Sequence, residues 1–291
     1  MKRTRLAAPD GVTAPFEAMV PPPLGWFSRP VAALWIRREL FRRVLVRDIE
    51  SSFRGSALGL LWIVLIPLVM VVLYTFVFGV VMKSAWAVQT TSPFEVPLIY
   101  FAGLTIAGFF LEVVNRAPNT IRAHPSYVKK VIFPLDLLGW MLVGTAGVKL
   151  LISFSLLAIF LSVVEGRVAL EVLYVPVLVA PLAVLLIGIA WILCAVGTYV
   201  RDLGHVLAVV APVIMFVSPV FYALAQVPPA IRPVYLLNPL TFVLESVRQV
   251  LFLGVGVSWS GYGVYWVIAV LVFALGFQFF SRARPGFADV V

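Results

Sequence analysis

The chain has 291 residues, of which 62% are hydrophobic and only 12% charged, with a formal net charge of +9 and a mean hydropathy of +1.06. A soluble domain is roughly a quarter charged, so this chain has too little charge to cover a folded surface in water, and most soluble enzymes and binding modules are excluded. The surplus of base has two readings, nucleic acid or membrane orientation, and its position along the chain decides between them.

Residues 1–30 form a Pro-rich lead, with Pro21, Pro22 and Pro23 in a row, and read as disordered. No apolar stretch follows the basic residues at the start, so no cleavable signal peptide is expected. From 31 to 54 the pattern is helical, with Leu34, Phe41, Leu45 and Ile49 on an imperfect apolar stripe. Arg37, Arg38, Arg42, Arg43 and Arg47 are interleaved with it. Such a helix is expected to lie in the headgroup plane with its arginines snorkelling to phosphates. It serves either as a plain lipid anchor or as a frame for the cytoplasmic mouth of a pathway.

Six uncharged or nearly uncharged runs follow, at 58–82, 96–111, 137–164, 172–200, 203–231 and 250–281. A membrane-spanning helix needs about 20 apolar residues, and each run supplies or nearly supplies one, giving an all-α polytopic membrane domain over 58–281. With six spans both termini lie on one side. That side carries 17 of the 22 basic residues, so the positive-inside rule places both termini in the cytoplasm. The charge is then topology, and no nucleic-acid partner is implied.

Lys149 is the exception, thirteenth of the 28 residues in the third run. An ammonium at mid-bilayer costs about 3 kcal/mol by insertion scales, so it is expected to face a pathway carrying an anionic substrate, or a structural partner such as a backbone carbonyl or Glu112 on another helix. The loop 115–136 holds Arg122, His124, Tyr127, Phe133, Lys129 and Lys130 between prolines. A short helix is expected around 126–132. Composition alone makes this a positive-inside loop, and its aromatic residues beside lysines also suit docking onto another protein.

The segment 226–258 is broken by Pro228, Pro229 and Pro233. Asn238 supplies an N-cap, Pro239 the first helical position and Gly254 a stop, so a short helix is predicted over 239–253. It is too short to span and is expected to be re-entrant or interfacial on the outer side, with Glu245 and Arg248 paired at i,i+3.

Catalytic chemistry is sparse. There is no G-x-x-x-x-G-K-[ST] motif, so nucleotide hydrolysis through a P-loop is excluded. His124 and His205 have no metal-ligand spacing, and the single cysteine, Cys194, excludes an internal disulfide. Neither cofactor nor metal is expected in this chain.

Several pieces carry a family resemblance. R-D-I-E-S-S-F-R-G-S-A-L-G-L-L-W at 47–62, followed by Pro67, and V-K-K-V-I-F-P at 128–134 resemble the membrane subunits of ABC-2-type polysaccharide exporters. So do Arg201-Asp202, S-P-V-F-Y at 218–222 and N-P-L-T at 238–241 with Glu245 and Arg248 following. The subgroup most similar exports lipid-linked O-antigen, capsule or teichoic acid. The resemblance implies a homodimer in the bacterial inner membrane with two copies of a separate ATPase subunit, which binds the ATP and Mg. It implies that loop 115–136, through Arg122, His124, Tyr127, Lys129 and Lys130, docks on that ATPase. Trp62, Lys149, Tyr222, Asn238, Glu245 and Arg248 become candidates for the pathway or its outer gate, and periplasmic or outer-membrane export proteins become candidate partners. The alternatives are an ABC-2 drug or small-lipid exporter, a membrane enzyme acting on polyprenyl-linked sugars, and a channel without an ATPase.

Overall fold

The computed structural model of the chain describes residues 29–81, 94–125, 127, 133–165 and 170–290. Among the described residues the structure is helical, without strands. The lead expected to be disordered and the short helix expected at 126–132, with Lys129 and Lys130, lie outside the described residues, apart from Arg29, Pro30 and Tyr127.

Two helices precede the membrane domain, α1 (Arg29–Ile36) and α2 (Arg38–Ser52). α3 (Trp62–Tyr74) follows a 3-10 turn at Gly59–Leu61 and passes into a π-helical turn at Thr75–Val81. Then come α4 (Glu95–Ala123), α5 (Leu137–Glu165), α6 (Val175–Tyr199) and α7 (Leu203–Phe216). After two short elements, α8 (Arg232–Leu236) and α9 (Pro239–Leu251), the chain ends in α10 (Trp259–Ala283) and α11 (Phe287–Val290). Among the described residues, five stretches are long and apolar enough to cross a membrane: Gly59–Val81, Glu95–Ala123, Leu137–Val163, Leu170–Tyr199 and Trp259–Gly286.

The run expected as a fifth continuous span behaves differently. Its helix stops at Phe216 after 14 residues, about 21 Å at 1.5 Å per residue. Residues 217–231 fold into turns and a 3-10 turn at Leu224–Gln226. The stop comes well before Pro228, at the S-P-V-F-Y stretch, whose backbone is held by side chains from elsewhere rather than by its own helix.

α4 is the hub. It packs on α3, α5, α6, α7 and α9, and 72% of its most apolar stretch is buried, against 11% for the first span. The largest helix interface joins α6 to α10, and it closes at two glycines. A Cβ on Gly188 would lie 2.7 Å from Phe273 Cα, and one on Gly276 would overlap the Gly188 backbone. Small residues let helices approach in this way where lipid supplies no hydrophobic drive. Trp191 fills the neighbouring core, 5.0 Å from Phe273 between ring centroids, and its indole N–H donates to the Asp136 carbonyl at 2.9 Å.

Candidate functional site

The amphipathic α2 does more than rest on a lipid surface. Its Val44 and Asp48, one turn apart, are buried, whereas Arg42, Arg43 and Arg47 are exposed. Phe41 and Leu45 cover Gly144 of α5, where a Cβ would come within 3.0 Å of Leu45 Cδ1. Asp48 is gripped from two helices. Arg116 Nη2 of α4 donates to both carboxylate oxygens, at 2.7 and 2.8 Å, and Thr145 Oγ1 of α5 donates to Oδ2 at 2.7 Å. Arg37 stands 3.8 Å from Asp136, at the foot of α5. Burial pushes the Asp136 carboxyl above its ordinary value, opposed by the charge of Arg37.

The ionic chain continues inward. Arg116 Nη1 donates to Glu112 Oε1 at 3.2 Å, and Lys149 Nζ donates to the same oxygen at 2.7 Å. Glu112 and Arg116 are i,i+4 neighbours on α4, while Lys149 lies about 18 Å along α5 from Leu137 at 1.5 Å per residue. Lys149 therefore has an acidic mate on another helix. Two acids and two bases form one row from α2 to the middle of α5, and their formal charges cancel.

A cavity of about 340 Å³ opens beside this row between α3, α4 and α5. Trp62, Tyr74, Phe101 and Phe109 contribute its aromatic walls, and Glu112 and Lys149 its charge. Lys149 Nζ also stands 5.9 Å from the centroid of the Phe53 ring, which lines the same space. Trp62 is fixed from its polar edge, donating from Nε1 to Ser56 Oγ at 2.7 Å.

The other four pathway candidates lie apart from that cavity and are engaged with residues 214–224, which include the S-P-V-F-Y stretch. Asn238 donates from Nδ2 to the Ile214 carbonyl at 2.8 Å and to Ser218 Oγ at 2.9 Å, while its Oδ1 accepts from Leu240 N. Arg248 is buried, donating to the Pro219 carbonyl at 2.6 Å and to Glu245 Oε1 at 2.8 Å. Glu245 also accepts from Leu224 N at 3.3 Å. Tyr222 donates to the Phe216 carbonyl at 2.8 Å and meets the Tyr235 hydroxyl at 3.0 Å. Tyr100 of α4, unremarked in the sequence, donates to the Phe221 carbonyl at 3.2 Å. These side chains replace the backbone hydrogen bonds that the broken helix gives up. Gly254, in left-handed geometry at φ 60°, follows the end of α9.

The described candidates of the loop 115–136 are joined to the same hub. Arg122, near the end of α4, donates to the Gly197 carbonyl of α6. His124 Nδ1 lies 2.9 Å from the Thr120 carbonyl, and its ring stacks on Tyr127 at 5.1 Å, which stacks on Phe133 at 4.1 Å. Asp48, Arg116 and Thr145 were not legible as site residues. The only local signal was the i,i+4 spacing of Glu112 and Arg116, and the long-range pairing has none.

Comparison with known proteins places these features in a family. Residues 39–252 match the family described as ABC-2 type transporter. Among its relatives, an O-antigen export system permease protein (RfbA) of Klebsiella pneumoniae is 22% identical, over 84% of this chain and 92% of the relative. The O-antigen export system permease protein of Myxococcus xanthus is 26% identical, over 77% and 84% respectively. The polysialic acid transport protein KpsM of Escherichia coli is 21% identical, over 81% and 92%.

Proposed function

Because the chain belongs to the ABC-2 type transporter family, we propose that it is the membrane-spanning subunit of an ATP-driven exporter that moves a lipid-linked polysaccharide out of the cytoplasm. Two copies form the pathway in the bacterial inner membrane, with both termini cytoplasmic. Six membrane crossings result if α7, with the turns that follow it, brings the chain to the outer side. The energy comes from two copies of an ATPase subunit carrying ATP and Mg, docked through Arg122, His124, Tyr127, Lys129 and Lys130. Trp62 and Lys149 belong to the substrate pathway. Tyr222, Asn238, Glu245 and Arg248 hold the outer segment 226–258 in its folded-back form, so that it acts as an outer gate rather than as a seventh span.

The observation that carries this reading is the cavity between α3, α4 and α5, which pairs aromatic walls with a lysine and a glutamate at membrane depth. Aromatic faces pack on the apolar faces of sugars, and a charged pair in an apolar wall suits an amphipathic molecule carrying both polar groups and a lipid. The first span, which the rest of the chain leaves largely uncovered, provides apolar surface for a second copy or for lipid.

Deleting the gene in its native host tests the proposal. Surface polysaccharide should disappear and lipid-linked polymer accumulate in the cytoplasm, both restored by the wild-type gene. Unchanged surface polysaccharide, with no accumulation inside, would overturn it.

A further inference from the structure

The ionic row has a property that its individual pairs do not. Glu112 offers one oxygen, Oε1, to both Lys149 and Arg116, while Arg116 spends its second nitrogen on Asp48. Asp48 is the only member supplied by the interfacial helix, and it is the most buried, with its side chain 6% exposed. The cavity meets only Glu112 and Lys149, so Asp48 acts on it through Arg116.

We propose that Asp48 sets the charge of the α3–α4–α5 cavity, and that this cavity binds a phosphate-bearing lipid headgroup on Lys149 when the Asp48 charge is withdrawn from Arg116. With Asp48 in place the row is neutral and Lys149 is satisfied by Glu112. Without it the row carries one net positive charge. Arg116, deprived of its two-oxygen partner, draws the Glu112 carboxylate to itself, because a guanidinium left alone at this depth is costly and the carboxylate is its nearest acceptor. Lys149 Nζ is then released toward the cavity. An ammonium beside aromatic and aliphatic walls at membrane depth selects an anion with an apolar tail. Phosphate is the group of that kind that membranes contain in quantity. The lipid phosphate of an exported substrate and that of an ordinary phospholipid share this chemistry, and only the first source rests on the export proposal.

The experiment measures binding of farnesyl diphosphate to the purified full-length protein, with uncharged farnesol as the control for an intact cavity and phosphatidylglycerol as competitor. Asp48→Asn should tighten farnesyl diphosphate binding about tenfold, the order expected of one unpaired charge in a half-buried site. Asp48→Glu keeps the charge at this position and should show none of the gain. Lys149→Met should remove the gain when combined with Asp48→Asn, and farnesol binding should be equal in all variants. If phosphatidylglycerol displaces the diphosphate at equal concentration, the Lys149-dependent site reads membrane phospholipid. If it does not, the site reads a diphosphate-linked substrate. The proposal is overturned if Asp48→Asn leaves the affinity unchanged, if the gain survives Lys149→Met, or if farnesol binding changes in step with that of the diphosphate. This binding is measured without ATPase or polymer, so its failure leaves the export proposal standing, and the reverse also holds.

Discussion

Asn238 and Ser218 are joined by a hydrogen bond of 2.9 Å, through which one asparagine closes two helices at once. Its amide nitrogen reaches the Ile214 carbonyl in the last turn of α7, and its amide oxygen caps the first turn of α9. Replacing Asn238 by Ala removes all three bonds and should cost about 2 kcal/mol of stability. Asn238→Asp keeps the cap acceptor but places a carboxylate against the Ile214 carbonyl, so it should not rescue. Thermal unfolding in detergent measures both variants. Wild-type stability in Asn238→Asp would mean that the cap alone matters.

The α6–α10 interface makes a steric prediction. A methyl group at Gly188 meets the backbone of Val272 and Phe273, which cannot move as a flexible side chain would. Gly188→Ala should therefore lower the melting temperature and the yield of folded protein. Gly108→Ala, where a Cβ meets nothing within 4 Å, should do neither. Equal behaviour of the two variants would show that the helices are not in close contact there.

Asp136 supplies a pH test. Burial raises its carboxyl pKa above the ordinary 3.8, and the charges of Arg37 and Arg284 only partly offset this. A group whose folded-state pKa is raised stabilises the fold fully below its unfolded value, and that contribution is lost as pH rises through the folded value. Wild-type stability should therefore decline relative to Asp136→Asn as pH is raised from about 4 upward. Melting temperatures of the two proteins across that range decide it, and parallel curves would remove burial as the dominant influence.

The helical membrane domain was legible because apolar runs of the right length are a direct consequence of bilayer thickness. The cap at Asn238 and the left-handed Gly254 were legible because both are local. The fifth run misled because composition cannot separate an apolar helix from an apolar loop. Residues 217–227 are as greasy as a span, yet the carbonyls of Phe221 and Pro219 are taken up by Tyr100 and Arg248 from distant parts of the chain. The same limit applied at the site. Lys149 stands out as a charge in a span with Glu112 among the partners open to it, but the chain from Glu112 through Arg116 to Asp48 adds a third helix. Pairings of that range leave no spacing in the sequence, so nothing in it singles out Asp48 within the helix predicted over 31–54.

The proposed function, ATP-driven movement of a lipid-linked polysaccharide across a membrane by this chain with an ATPase, can be measured in a defined system. The test uses inverted vesicles containing the full-length chain and a candidate ATPase subunit from the same host, supplied from outside with radiolabelled lipid-linked polymer. Polymer should enter the lumen only with ATP and Mg, and Lys129→Glu combined with Lys130→Glu should abolish the movement by uncoupling the ATPase. An intact complex that hydrolyses ATP yet leaves the polymer outside would contradict it.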